Sequence, residues 1–511
     1  MKLFILSLVI YLIYINLISN RSLYMLQQNR YNRGYRYIKW IFKNFRANYL
    51  NYRLATLVFV VFMFVSVEVD FLIGMFTGLF GVFSLAAYKI FNKEQKSAKL
   101  PFKYTARIKR LIVTNNIVHL IPLVIMALTY KVELVPLYYV ILTVIGLLNY
   151  FSVILINFIN RPVEKLVGLY FRNKAVTKLN SMTGMDVIGV TGSYGKTSTK
   201  NILYDILDIK YNVFKTPANY NTPYGLMITI NEHMDKLNDY FIAEMGACKK
   251  GEIKELCDLV HPKYGVLTKV GLAHLETFGS EEIIQSTKFE LIESLPSDGF
   301  AILNGDDPKQ VNYKLKNKVK TIWIGINNKD VDVKATNIKC SSKGTSFDVV
   351  FKDDDTKYNF ETKLLGYHNV YNILSSIALG REFGMSIEQL KAGVAKVKPV
   401  AHRLQLKKNG DVTIIDDAYN SNPVGSKRAL DILKMMPGKH IVVTPGMVEL
   451  GDEEEIRNRE LGQNIARSAD EVILVGKNKT KPIYDGLIDE NFDKSKIHII
   501  NDVMKSFDMI I

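Results

Sequence analysis

Val187-Ile-Gly-Val-Thr-Gly-Ser-Tyr-Gly-Lys-Thr-Ser198 decides the fold of this chain. Four mostly β-branched residues read as a buried strand. A glycine-containing loop follows, then Lys196 and Thr197, then a helix that begins near Ser198. The loop amides of Gly192, Ser193, Tyr194 and Gly195, together with the helix N-terminus, make a cradle for phosphate oxygens. Lys196 is placed to neutralise β/γ-phosphate charge, and the Thr197 hydroxyl to ligate Mg²⁺. The spacing is shorter than the common P-loop: Val190, not Gly, stands five residues before Gly195, so the motif is T-G-x-x-G-K-T.

Around this loop the texture is α/β. Val187–Val190, Tyr240–Glu244, Gly265–Val270 and Phe300–Leu303 read as strands separated by amphipathic stretches, the pattern of a mostly parallel sheet. Val331–Ile338, Thr345–Phe351 and Tyr358–Leu365 alternate and suit a small antiparallel sheet, and residues 369–383 read as a helix. Near Pro399 the pattern restarts. Val412–Asp416, His440–Thr444, Glu471–Val475 and Lys496–Ile500 suggest strands of a second, smaller α/β domain.

The first 165 residues differ in kind. Leu3–Ile18 is almost wholly apolar and has its positive flank after it, from Arg21 onward, which favours an anchor over a cleaved signal peptide. Leu54–Tyr88 is apolar for 35 residues apart from Glu68 and Asp70. One helix of that length would rise about 52 Å against a hydrocarbon core of about 30 Å, so two short spans turning at Glu68 and Asp70 fit better. Leu111–Tyr130 and Leu137–Phe158 complete a five-span reading. It places basic loops at Arg21–Arg53 and Lys89–Arg110, and everything beyond Phe158, on the cytoplasmic side.

The net charge of +16 belongs to this region: residues 1–165 hold 20 Lys/Arg against 5 Asp/Glu, and the remainder 46 against 45. Basic excess coincident with apolar runs points to membrane topology, and no nucleic-acid partner is expected. The three cysteines are scattered without a C-x-x-C pair, which argues against a disulfide framework or a cysteine zinc site.

T-G-x-x-G-K-T after a strand resembles the nucleotide loop of the Mur ligases and the related folylpolyglutamate synthases. The likeness continues in order along the chain. Thr216-Pro-Ala-Asn-Tyr-Asn221 resembles the family's T-x-x-N-x-N segment, and Ala243-Glu-Met-Gly246 its strand-end acidic motif, implying that Glu244 is a Mg²⁺ ligand. Gly271-Leu-Ala-His-Leu-Glu276 implies that His274 serves a second Mg²⁺. Lys288 matches the lysine that many members carbamylate into a metal-bridging carboxylate. Gly366-Tyr-His-Asn-Val-Tyr-Asn372 implies adenine contacts from Asn369 and Asn372. His402-Arg403 and Asp416-Asp-Ala-Tyr-Asn-Ser-Asn-Pro423 imply that Arg403 approaches the phosphates and Asp417 holds the ribose. The last string, with Met447-Val-Glu-Leu-Gly451, is closest to the member that adds D-alanyl-D-alanine.

The resemblance therefore implies an ATP- and Mg²⁺-dependent ligase acting through an acyl phosphate, with Lys196, His274, Lys288 and Arg403 as its catalytic groups. An amino acid or D-Ala-D-Ala-like dipeptide would join a carboxylate of a muramyl-peptide precursor, small-molecule or lipid-linked. The expected architecture is α/β: transmembrane helices over residues 1–165, a P-loop central domain over 166–398, and a Rossmann-like domain over 399–511. The protein is then a multi-pass cell-membrane enzyme with cytoplasmic catalytic domains and the lipid bilayer as a partner. The soluble members begin with a uridine-nucleotide-binding domain where this chain has its apolar helices, and their last strand or two lie beyond what Ile511 reaches, so the sequence reads as truncated. Two other readings stay open at this stage: a membrane-attached ligase for another polymer such as poly-γ-glutamate, and a non-catalytic nucleotide-binding scaffold.

Overall fold

In the computed structural model, β1 (Asp186–Thr191) is the strand around which the larger α/β region is wound. The structure describes residues 1–29, 31, 35–44, 69–97, 101–235, 237–273, 275–418, 422–448, 450 and 453–510. The remaining strands are β2 (Val213–Lys215), β3 (Tyr240–Glu244), β4 (Tyr264–Leu267), β5 (Phe300–Asn304), β6 (Lys320–Gly325), β7 (Val333–Ser341), β8 (Gly344–Phe351) and β9 (Asp354–Thr362). They form one nine-stranded sheet in the order β2-β3-β1-β4-β5-β6-β7-β8-β9. Strands β1 to β6 pair in parallel, as the alternating pattern predicts.

The chain leaves β1 toward β2, returns through β3, and then crosses to β4 on the other side of β1. That reversal opens a crevice at the C-terminal end of β1, the usual ligand position in such sheets. Register brings the strand ends level there: Val190 lies opposite Glu244 on one side and Val266 on the other.

The three alternating segments do not make a separate sheet. β7 joins β6 in parallel through Ile324↔Val333 and Gly325↔Lys334, and β8 and β9 extend the same sheet antiparallel. The expected small antiparallel sheet is thus the far flank of the main one. The link went unread because β6 is a short run that the sequence pattern did not single out.

Both faces of the sheet are covered. Helices Lys196–Leu207, Tyr367–Glu382 and Ile387–Lys396 pack Ile202, Leu203, Ile206, Ile373, Ile377 and Leu390 into one core with Ile188 and Val190. Helices Glu252–Val260 and Glu281–Glu293 pack Leu256, Phe289, Leu291 and Ile292 into the other, with Val187 and Ala243. Gly189 and Gly265 are cross-strand partners beneath the second layer. A Cβ at Gly189 would stand 2.5 Å from Leu291 Cδ1, and one at Gly265 3.0 Å from Leu295 Cδ1. This bare strip lets the helix that carries Lys288 approach the sheet closely.

The C-terminal region holds a hairpin, β10 (Gln405–Asn409) with β11 (Val412–Asp416), and a parallel sheet of β12 (Ile441–Thr444), β13 (Glu471–Val475) and β14 (Ile497–Ile500). Helices Pro423–Lys434, Glu454–Ala466 and Lys481–Asp489 cover it, with Leu461, Ile465, Leu474, Ile483 and Leu487 in the core. The alternation predicted from Pro399 onward is present; β10 was not anticipated.

The chain divides into two units, Met1–Tyr170 and Phe171–Ile511. In the first, helices Lys2–Gln28, Phe71–Lys96 and Ala106–Leu128 are each long and apolar enough to cross a membrane. A fourth crossing counts if Val132–Leu147 and Asn149–Ile159, bent by 73° at their junction, act as one span. The expected straight span Leu137–Phe158 is therefore broken. At the break Asn149 turns inward, donating to Ser19 Oγ at 2.7 Å and accepting from Ser22 Oγ at 3.3 Å. A buried amide in an apolar bundle must find such partners.

The second basic loop is also shorter than read, since Lys89, Lys93 and Lys96 belong to the helix that runs to Ser97. Residues 45–68, with the first half of the Leu54–Tyr88 reading and Glu68, lie outside the described residues. Along Ala106–Leu128 the side chains of Val113, Ile117, Ile121 and Ile125 point outward while Asn115 and His119 are buried. This is the reverse of a water-soluble helix.

Candidate active site

Three strand ends supply the site. After β1, Gly192 (φ 146°) and Gly195 (φ 88°) take backbone conformations that L side chains rarely adopt. At Gly192 a Cβ would fall 1.9 Å from Thr268 Oγ1, so the loop there tolerates no side chain. The loop is tied to the segment after β4: Ser193 N–H donates to Lys269 O at 2.8 Å, and Ser193 Oγ donates to Gly271 O at 2.8 Å. Thr268 Oγ1 donates to Tyr194 O at 2.6 Å. The helix Lys196–Leu207 starts directly from this loop, with Gly195 as its cap and Lys196, Thr197 and Ser198 in its first turn.

Lys196 folds back over the loop, donating to Gly192 O at 2.7 Å and Ser193 O at 3.2 Å. Burial holds its pKa below the ordinary lysine range, against the opposing pull of Glu244. Thr197 Oγ1 donates to Glu244 Oε1 at 3.0 Å, so the hydroxyl and the carboxylate at the end of β3 meet as the motif implied.

Glu244 is the centre of the arrangement. Asn221 Nδ2 also donates to its Oε1, at 3.0 Å, and Thr216 Oγ1 accepts the Glu244 N–H at 3.2 Å. The T-x-x-N-x-N segment thus clasps the carboxylate from the side. Lys200 Nζ stands 3.1 Å from Glu244 Oε2, both side chains 1% exposed, and donates to Ala218 O at 2.5 Å. Ala218 adopts φ 42°, a non-glycine left-handed conformation, in the turn that presents this carbonyl. Sequence reading missed Lys200. The available signal was its position one helical turn after Lys196, on the face that carries the buried side chains.

Mg²⁺ prefers hard oxygen ligands. Thr197 Oγ1 and Glu244 supply them, with Glu244 Oε2 facing the Lys200 ammonium. These residues fit the ion. Among the described residues, no group of three or more His, Cys, Asp or Glu is gathered for a metal. His274 lies outside the described residues.

Lys288 lies on the helix above the glycine strip, 2% exposed, its Nζ 3.4 Å from Ala247 O and 5.4 Å from the Phe278 ring centre. Burial, reinforced by repulsion from Lys196, pushes its pKa down to about 7. A lysine in that state is about half free amine at neutral pH, the form that reacts with CO₂.

The expected adenine residues sit behind the loop. Asn372 Oδ1 accepts from Thr199 Oγ1 at 3.1 Å, and its Nδ2 donates to Asn369 Oδ1 at 3.3 Å. Asn369 Nδ2 in turn donates to Leu365 O at 2.9 Å. From the C-terminal region, Arg403 reaches Thr197 Oγ1 at 3.4 Å, between His402 (φ 59°) and Leu404 (φ 49°). Asp417 accepts the Leu404 N–H at 3.2 Å, and burial pushes its pKa up to about 6. Asp416 is engaged separately by His402 Nδ1 at 2.7 Å and by Lys407.

Residues 190–380 match the Mur ligase middle domain, and residues 402–510 the Mur ligase, glutamate ligase domain. The UDP-N-acetylmuramoyl-tripeptide--D-alanyl-D-alanine ligase of Bacillus subtilis (strain 168) is 36% identical over 299 residues, covering 58% of this chain and 63% of that protein. The protein of the same name from Escherichia coli (strain K12) is 33% identical over 296 residues, covering 57% and 64%. The chain thus spans less than two thirds of the length of these relatives. Among solved structures, the MurF ligase from Thermotoga maritima in complex with ADP is 29% identical, with a TM-score of 0.59 over 67% of this chain and 76% of that one. MurF from Acinetobacter baumannii, at 24% identity and a TM-score of 0.60 over 67% and 73%, shares the fold.

The Lys200–Glu244 pair yields a prediction. Lys200→Met leaves a buried carboxylate without its cation and is expected to cost about 3–5 kcal/mol of stability. Adding Glu244→Gln should restore most of that loss, as read by denaturant unfolding of the solubilised chain. Additive losses in the double variant would show that the two side chains are not coupled.

Proposed function

We propose, from the premise that the chain belongs to the Mur ligase family through its middle and C-terminal domains, that it is an ATP-dependent ligase. It joins a D-Ala-D-Ala-like dipeptide or an amino acid to a carboxylate of a muramyl-peptide precursor. The observation that carries this reading is the convergence of Lys196, Thr197, Glu244 and Arg403 at the end of β1. The ADP in the Thermotoga maritima MurF structure supports the choice of nucleotide.

A carboxylate is a poor electrophile, and it repels the γ-phosphate it must attack. The loop amides and Lys196 lower that repulsion from the phosphate side, and Arg403 adds a second cation from the C-terminal region. Mg²⁺, held by Thr197 and Glu244, supplies further charge screening when bound. Asn369 and Asn372 hold the adenine, and Asp417 the ribose. A carboxylate oxygen of the acceptor attacks the γ-phosphorus and ADP leaves. The amine nitrogen of the donor then attacks the carbonyl carbon of the acyl phosphate, loses a proton, and expels phosphate. Approach of the C-terminal residues to the nucleotide keeps water from that intermediate.

Carbamylated Lys288, its nitrogen bonded to CO₂ with release of a proton, provides an anionic group beside Lys196; His274 is assigned to the same cation-binding region. The first unit anchors the enzyme in the cell membrane as a multi-pass protein with its catalytic domains in the cytoplasm, where ATP is found. The acceptor is either a soluble uridine-linked or a lipid-linked form of the muramyl peptide.

Solubilised protein supplied with muramyl tripeptide acceptors, D-Ala-D-Ala and ATP should release ADP in step with a condensed product detected by mass spectrometry. Lys196→Ala should lower that rate by about 10²–10³ and leave the fold intact; wild-type turnover in the variant would remove the loop from catalysis. For Lys288, ¹³C-bicarbonate should produce a carbamate resonance that grows between about pH 6 and 8 as the amine loses its proton. Lys288→Ala should lose both resonance and activity, with partial rescue by short carboxylates. Full activity in that variant at low and high bicarbonate would contradict the assignment.

A further inference from the structure

The helix Arg161–Asn180 changes character along its length. In its second half Ala175 is buried, and Val176 and Leu179 pack against the core beside Val187 and Phe241. Its first half instead turns large apolar side chains outward: Val163 is 44% exposed, Leu166 67%, Leu169 45% and Tyr170 64%. At 100° per residue, Val163, Leu166, Val167, Leu169 and Tyr170 fall on one continuous arc. Arg161, Glu164, Lys165 and Gly168 fall on the other.

On the polar arc Arg161 and Lys165 are exposed, and Glu164 faces the bundle. Glu164 accepts two hydrogen bonds from Arg110, at 2.6 and 2.8 Å, and lies 3.7 Å from Arg107. Both arginines belong to the first turns of the helix Ala106–Leu128, a candidate membrane span. The helix also begins two residues after Ile159, where the bent candidate span ends. The apolar arc is therefore directed away from the bundle at the end of two apolar segments.

We infer that residues 161–170 form an interfacial helix. It lies in the headgroup region of an anionic bilayer, with Val163, Leu166 and Leu169 in the acyl boundary. Arg161 and Lys165 meet lipid phosphates, beside the Arg107 and Arg110 side chains that Glu164 holds at the start of the neighbouring span. Charge selects this occupant over a second copy of the chain. Two copies paired through this face would bring like-charged patches together, whereas an anionic lipid surface complements them. The inference rests on the reading of the first unit as membrane-embedded.

The test uses the full chain in nanodiscs of phosphatidylcholine alone or with phosphatidylglycerol, with Cys248, Cys257 and Cys340 replaced by Ala. Nitroxides are placed singly at Leu166, at Lys165 on the opposite arc, and at Ile121 on the outward face of the Ala106–Leu128 span. With phosphatidylglycerol, the label at Leu166 should be open to oxygen and closed to a water-soluble nickel chelate, and the label at Lys165 the reverse. Ile121 should be closed to nickel in both lipids. Nickel access at Leu166 with Ile121 closed overturns the interfacial helix alone, as does protection that follows protein concentration instead of lipid charge. Nickel access at Ile121 overturns the membrane reading and the inference with it. Hydrogen exchange on the unsubstituted chain gives an independent reading: amides 163–169 should exchange more slowly with phosphatidylglycerol present, and equal rates would count against the helix.

Discussion

Glu244 is a carboxylate sealed from water, and the residues at the ends of β1 and β3 are arranged around it. One oxygen is shared between the Thr197 hydroxyl and the Asn221 amide; the other is paired with the Lys200 ammonium at 3.1 Å. Removing such a charge from water is expensive, and only close opposite charge with further polar contacts offsets it. The residues that meet this cost are those that define the site. Thr197 and Lys200 belong to the helix that follows the glycine loop, and Asn221 to the segment after β2.

The sheet makes the arrangement possible. β1 and β3 are neighbours in a register that sets Val190 level with Glu244, so the loop after one strand and the acid ending the other emerge together. Gly189 and Gly265 then let the Lys288 helix settle close to the same strands. Lys196 and Lys288 are consequently near enough to repel, and burial with that repulsion brings Lys288 down to about 7. An amine held there is chemically available at neutral pH, unlike an ordinary surface lysine.

The glycine loop after β1, the acid that ends β3 and most strands were legible in the sequence because each is written locally: a motif, a β-branched run, a glycine at a turn. What was not legible depends on distant partners. Lys200 reads as one more helix lysine until Glu244 and Ala218 O are placed around it. The joining of β6 to β7 rests on two residue pairs at the edge of a short run. The bend at Leu147–Asn149 follows from what Ser19 and Ser22 offer more than a hundred residues earlier. In each case a side chain or strand edge is satisfied across the chain, and periodicity carries no trace of that.

In the proposed reaction these residues activate a carboxylate by phosphorylating it. Its most direct measurement is isotope transfer. Muramyl tripeptide labelled with ¹⁸O in its terminal carboxylate is incubated with ATP, D-Ala-D-Ala and the solubilised protein, and the phosphate released is analysed by mass spectrometry. The account predicts one ¹⁸O in the phosphate for each amide bond formed. Amide formation with unlabelled phosphate, or phosphate release independent of acceptor, would contradict it.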